Sequence, residues 1–407
     1  MADPAKRRMV VGAIAFAVVA AGVVGLVARG AGPGSTPSPI AQVSDQPSVA
    51  ATSTPSLAPG DSPTPTPSPT AVPTPTPAPT PVLVPAPLTG RLVTPAVAAR
   101  HPIAVMVDDL SPARPQSGFS SASVVWQAPA EGGIPRYMMI FQDQVPTSIG
   151  PVRSSRYYYI AWAAEWKAVY AHAGGSPQAM ATLKAKGAGQ YVYNADEFTH
   201  GGSFHRTTDR FPPHNLYTDG KRLHRLGVAL GARDTPMKAV WQFAADAPLA
   251  QRPVGGTIQV SYPQNSIRYD YDRTTNTYLR TVSVEGKQFD RATHIRVAPS
   301  NVIVMIMHFG PLNDGHPNKH RLEATVVGSG KAWIATNGHT VVGTWSKKSM
   351  TAPTLFFDSS GNPVTLTVGQ TFVQVMPYGA PVTIKDGKAP VAEIAPSDAL
   401  GATGYTF

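Results

Sequence analysis

HPIAVMVDD, residues 101–109, is an apolar run that stops on two carboxylates, and it reads as a strand. Working outward, SASVVWQA (121–128) and RYMMIFQD (136–143) read as two more strands. In SRYYYIAWAAEWKAVYAHAGGS (155–176), Tyr158, Trp162, Glu165 and Trp166 fall near helical spacing, and AVYAHAG then returns to a strand pattern. PQAMATLKAKGAG (177–189) predicts a short helix closed by Gly187, and KRLHRLGVALGA (221–232) predicts another. Strands and helices therefore mix up to about residue 245, giving an α/β or α+β amino-terminal domain.

After ADAPLAQRPVGG (245–256) the pattern changes to short alternating runs such as GTIQVSYP, SIRYDYDR and NTYLRTVSVEG. Turn signals at Thr274 to Asn276, Asn337–Gly338 and Ser360 to Asn362 punctuate them, as expected of hairpins. The carboxy-terminal half is expected to be a β-rich, antiparallel domain. The expected divisions are residues 1–30, 31–88, 89–248, 249–385 and a tail at 386–407.

The first two divisions are not core material. Lys6, Arg7 and Arg8 precede an uncharged run from Met9 to Ala28, and about twenty such residues span the ~30 Å hydrocarbon layer of a bilayer. A single-pass anchor at residues 9–28 is expected, or a cleaved export signal. The basic cluster keeps the start of the chain cytoplasmic, so the rest lies outside the membrane. Residues 31–88 read as an extended spacer, most plainly in SPTPTPSPTAVPTPTPAPTP, which has almost no large apolar side chains.

Composition excludes several chemistries. The 407 residues contain no cysteine, which rules out disulfides, thiolate metal sites, cysteine nucleophiles and a lipid-bearing cysteine. The formal net charge is +10, but Lys and Arg are scattered, so the balance suits an anionic envelope and no nucleic-acid partner is expected. No cofactor or metal is expected either. His200, His205, Asp209 and His214 sit on a Gly- and Pro-broken loop at spacings that match no helical zinc motif.

Candidate chemistry gathers around EGGIPRYMMIFQDQVPTSIGPVRSSR (131–156). A Glu-Gly-Gly turn lets backbone amides approach a ligand, and Arg136, Arg153 and Arg156 supply planar forks for a carboxylate or phosphate. Arg153 and Arg156 could instead tie elements together by pairing with Glu131 and Asp143. His172 follows a strand and precedes a helix, where α/β domains present working residues. Ser176, four residues on, lacks the G-x-S-x-G nucleophile spacing and suits a helix cap before Pro177. In PPHNLYT, two prolines fix the approach to His214 and Asn215. Asp108 and Asp109 could join Glu131 in acid–base work. GTWSKK (343–348) with Tyr269, Tyr271, Tyr278 and Trp333 offers either a sugar-stacking surface or half of a sheet's core, and alternation favours the core.

Together, ARPQSGFSSASVVWQAPAEGGIPR, IGPVRSSRYYY, HAGGSPQA and PPHNLYT resemble, in order and spacing, the amino-terminal domain of unknown function 3048 of the bacterial YerB-like envelope family. NTYLR, SNVIVM, GTWSK and VTLTVGQTFVQVMP resemble its carboxy-terminal domain. The resemblance implies an exported, membrane-held protein, although the family's lipidated cysteine is absent here. It brings no activity or catalytic residues. It does run through Glu131, Arg136, Arg153, Arg156, His172, His214 and Asn215, and passes by His200 and His205.

The expected role is that of a membrane-tethered envelope protein whose cleft, lined by Glu131, Arg136, Arg153, Arg156, His172, Ser176, His214 and Asn215, binds an anionic or cell-wall-derived ligand such as a glycan. The alternatives are a hydrolase of a wall polymer, with His172 or His214 as proton carrier and Glu131 or Asp108 as its partner, and a purely structural scaffold.

Overall fold

A computed structural model describes residues 82–389. The expected anchor at 9–28, the spacer up to residue 81 and the tail beyond 389 lie outside the described residues. The described part belongs to one compact unit. Among the described residues no helix is long and apolar enough to cross a membrane.

The described residues include the last part of the stretch read as spacer. Val84–Pro85 pairs with Leu92–Val93, and Ala86 and Leu88 are buried, which corrects the expected start at residue 89. Leu88 supplies apolar surface to the core.

In the amino-terminal half, β1 (Ile103–Asp108), β2 (Val124–Pro129) and β3 (Pro135–Phe141) are almost wholly buried. The reason is a sheet covered on both faces. Ile103, Val105 and Val107 enter one core while Ala104 and Met106 enter the other, following the two-residue period of a strand. Helix α1 (Tyr157–Ala163) comes next, and all of its residues after Tyr157 are buried. Its Trp162 stacks on Trp126 of β2 with ring centroids 4.6 Å apart. Its Tyr159 hydroxyl donates to the Arg136 carbonyl, clamping the start of α1 against β3. β4 (Val169–His172), helix α2 (Pro177–Lys184), β5 (Tyr193–Asp196) and helix α3 (Gly220–Ala229) complete this half.

The carboxy-terminal half is sheet-rich. β6 (Thr257–Tyr262), β7 (Asn265–Asp272), β8 (Thr277–Val282), β9 (Gly286–Lys287) and β15 (Val382–Lys385) form an antiparallel sheet in the order β9-β8-β7-β6-β15. Its inner face carries Tyr269, Tyr271 and Tyr278 into the core, so these tyrosines form no exposed sugar platform. The hairpin joining β11 (Gly328–Thr336) to β12 (His339–Lys347) turns on Asn337 and Gly338, both with positive φ, the requirement that the Asn-Gly pair meets.

With β10 (Asn301–Met307), β13 (Leu355–Asp358) and β14 (Thr371–Pro377), these strands join the amino-terminal ones in a single ten-stranded sheet, ordered β13-β12-β11-β10-β14-β2-β3-β1-β4-β5. β14 is the seam. It runs parallel to β10 on one side and to β2 on the other, pairing Thr371 with both Asn301 and Val124. The mixed α/β region and the antiparallel sheet-rich region thus share one hydrogen-bonded layer. Helices α1 and α2 cover one face, and the five-stranded sheet and α3 cover the other.

Buried polar groups bind the two regions further. Arg280 of β8 is fully buried and donates to Tyr269 and to Gln127 of β2, with its guanidinium over the Tyr137 ring. Gln127 in turn donates to Asp109, whose other oxygen meets Arg114 at 2.6 Å. Burial pushes the Asp109 carboxyl up to about 6 against the pull of Arg114 and Arg280.

Candidate functional site

The parallel strands β1 and β4 end side by side, and their carboxyl ends carry Asp108 and His172. The segment from Gly150 to Arg156 is sewn across these ends. The Asp108 amide donates to the Pro151 carbonyl, the Arg153 amide to Met106, and the Ala173 amide to Arg153. Arg153 is therefore fixed by its backbone between two strand ends.

Its side chain reaches Asp108, with Nε 3.0 Å from Oδ2. The same oxygen lies 2.7 Å from Nδ1 of His214. Asp108 itself is sealed from solvent, while Arg153 keeps 20% of its side-chain surface exposed. The Arg153 guanidinium makes no well-aligned hydrogen bond to any described residue, and its buried Nε is left without one.

A second knot lies beside the first. Glu131 sits in a turn whose Gly132 and Gly133 both have positive φ, and a Cβ on Gly133 would lie 2.6 Å from Pro263 of the carboxy-terminal region. Glycine is thus required both by conformation and by close approach. Glu131 accepts from Arg156 and lies 3.5 Å from Arg136, which donates to the Ser154 carbonyl. Burial works to raise the Glu131 carboxyl, but the bond and charge of Arg156, aided by Arg136, hold it below the usual range. Arg136 is pushed down to about 10 by burial and then by the charge of Arg156, with Glu131 opposing and Arg153 adding to the repulsion. Three guanidiniums thus face two carboxylates, leaving a positive surplus.

Arg153 opens on a hollow of about 440 Å³ lined also by Ser154, Gly174, Glu197, Phe198 and Arg206. Glu197 and Arg206 pair loosely at 3.6 Å, and Phe198 is largely exposed at the rim. The sequence reading did not single out Glu197, Phe198 or Arg206. The available signal was an exposed-type residue set, DEFTH (196–200), at a strand-to-helix turn.

Folding therefore joins Asp108, Glu131, Arg136, Arg153, Arg156 and His214. It does not bring in the remaining candidates. His172 is completely buried, with Nδ1 2.8 Å from the Gly174 carbonyl and Nε2 2.7 Å from Asn194 Oδ1, so it cannot meet a ligand in the hollow. Ser176 is buried and caps α2, accepting from the Ala179 amide. Asn215 fastens its loop, accepting from Arg206 and donating to the Thr207 carbonyl. The Asp143 alternative fails because Asp143 pairs with Arg91. Asp109 points into the buried Arg114–Gln127 network, away from Glu131's partners. Among the described residues no group of three or more His, Asp or Glu is placed to hold a metal ion.

Residues 88–233 match the family described as "Protein of unknown function (DUF3048) N-terminal domain", and residues 258–373 match "Protein of unknown function (DUF3048) C-terminal domain". Over 311 residues the chain is 31% identical to "Putative lipoprotein YerB" of Bacillus subtilis (strain 168), covering 74% of this chain and 88% of that one. The chain belongs to the DUF3048 family. A crystal structure of the YerB protein from Bacillus subtilis superposes with a TM-score of 0.64 at 25% identity, covering 73% of this chain and 99% of the other. Both DUF3048 segments contribute strands to the ten-stranded sheet, and the Asp108–Arg153–His214 and Glu131–Arg136–Arg156 clusters fall wholly in the amino-terminal one.

Proposed function

We propose that the chain is a membrane-held, extracytoplasmic envelope protein that binds an anionic ligand in the hollow beside Arg153. Attachment outside the membrane is supported by the apolar segment at 9–28 and by the description of the Bacillus relative as a lipoprotein. The observation that carries the binding reading is Arg153 itself: a backbone-fixed, partly exposed guanidinium with one ion pair, in a cluster with surplus positive charge. A carboxylate or phosphate seated there would gain charge-assisted bonds without moving the scaffold. Fragments of an anionic wall polymer carry such groups. The test is calorimetry of the full chain in lipid nanodiscs with glycerol 3-phosphate and N-acetylmuramic acid as phosphate and carboxylate probes. Saturable binding that weakens about tenfold or more in Arg153→Gln is expected from the strength of a charge-assisted bond; binding indifferent to that change refutes the site.

A hydrolytic reading is favoured by one observation, the 2.7 Å contact between Asp108 and His214. A buried carboxylate that orients an imidazole prepares its second nitrogen to carry a proton. Release of reducing ends from purified wall material, abolished in His214→Gln, is the result this reading requires.

A further inference from the structure

A second hollow, sharing no lining residue with the one beside Arg153, lies where helix α3 crosses the end of β3. Its floor is apolar, formed by Ile103, Phe141 and the exposed Val145. Its volume is about 360 Å³, within the range of small-ligand sites. Gly220 brings α3 into direct contact with this floor: a Cβ there would lie 2.8 Å from Val145 and 3.0 Å from Pro146. The helix consequently presents Lys221, His224 and Arg225, spaced three and four residues apart, along one edge. His224 is paired with Asp234 at 3.0 Å, whereas Lys221 and Arg225 are exposed and make no ion pair among the described residues. Arg100 adds a third cation to the rim and donates to the Asp143 carbonyl.

One buried group in this hollow is unsatisfied. Gln142 lines it and is 2% exposed; its Nε2 donates to the carbonyls of Val97 and Ala98, which fixes the amide orientation and leaves Oε1 without a donor. A ligand complementary to these features has an acid group for Lys221 and Arg225, an N–H for Gln142 Oε1, and a small apolar body for Phe141 and Val145. An N-acylated amino acid, such as a peptide's carboxyl end with an apolar final residue, carries all three on neighbouring atoms.

We propose that this hollow binds the free carboxyl terminus of a peptide with a small apolar last residue. The site is independent of the Arg153 hollow, so the two readings stand or fall separately. The probe is N-acetyl-alanyl-alanine, titrated into the full chain in lipid nanodiscs and followed by calorimetry and saturation-transfer NMR, beside its C-terminal amide and the analogue methylated at the final peptide nitrogen. Saturable binding of the free acid is expected, weakened about tenfold or more by amidation, and similarly by Lys221→Gln with Arg225→Gln. N-methylation is expected to weaken it as well, and Arg153→Gln to leave it unchanged. Both helix substitutions are at exposed positions, so the fold survives them. Absence of saturation up to about 10 mM, near the limit of measurable affinity, overturns the proposal. So does equal binding of acid and amide, of the methylated analogue, or by the doubly substituted protein.

Discussion

Lys347 Nζ lies 3.0 Å from Glu165 Oε1, with both side chains wholly sealed from solvent, so an ion pair ties hairpin strand β12 to the turn after helix α1. Burial pushes the Glu165 carboxyl up and the Lys347 ammonium down, each resisted by the partner's charge. The lysine of GTWSKK is thereby an internal tie between the two regions, and Trp345 beside it is core, donating its indole N–H to the Ile306 carbonyl. Substituting Glu165→Gln leaves a buried ammonium without its counter-charge and is expected to cost about 3–5 kcal/mol in denaturant unfolding. The paired change Glu165→Met with Lys347→Met is expected to cost much less, because no charge is then stranded.

Asp109 predicts a pH dependence. Its folded value near 6 lies above the ordinary 3.8, so between these values the folded state binds more protons than the unfolded state. This group's contribution to stability therefore falls as pH rises from about 4 to 6 and is flat above, by an amount of order 3 kcal/mol at most. Unfolding curves taken across that interval are expected to lose this slope in Asp109→Asn.

Ser176 separates capping from chemistry. Ser176→Ala is expected to lower stability by about 1 kcal/mol through loss of the α2 cap, with anion binding unchanged. Gly133→Ala is expected to be more severe, since the turn needs positive φ and the new Cβ would collide with Pro263. A circular-dichroism melt of each variant distinguishes the two.

Much of the fold was legible because its signals are local. Residues 103–107 and 137–141 are apolar without alternation, and Asn337–Gly338 has the chemistry of its turn. What escaped reading was long-range pairing. Nothing near Thr371 announces that β14 will lie between β10 and β2, because any buried apolar strand could fill that slot. Arg280 looks solvent-facing in sequence, yet it shares the inward face of β8 with Tyr278 and Val282, where Tyr269, Gln127 and Gln288 satisfy it.

The site divides in the same way. Arg136, Arg153, Arg156 and Glu131 were legible from charges among glycines and prolines. Their meeting with Asp108 and His214 depends on the Gly150–Arg156 crossing and the 211–214 loop, which have no periodic signal. His172 occupied the expected strand end, but Gly174 and Asn194 close over both ring nitrogens. Phe198 and Glu197, which do line the hollow, carry no motif at all.

The most direct measurement is the affinity of the full chain for a simple phosphate probe, glycerol 3-phosphate, before and after Arg153→Gln, with the fold monitored in parallel. A folded variant whose affinity drops by about tenfold or more is the expected result. A folded variant that binds as tightly as the parent, or a parent that does not bind at all, contradicts it.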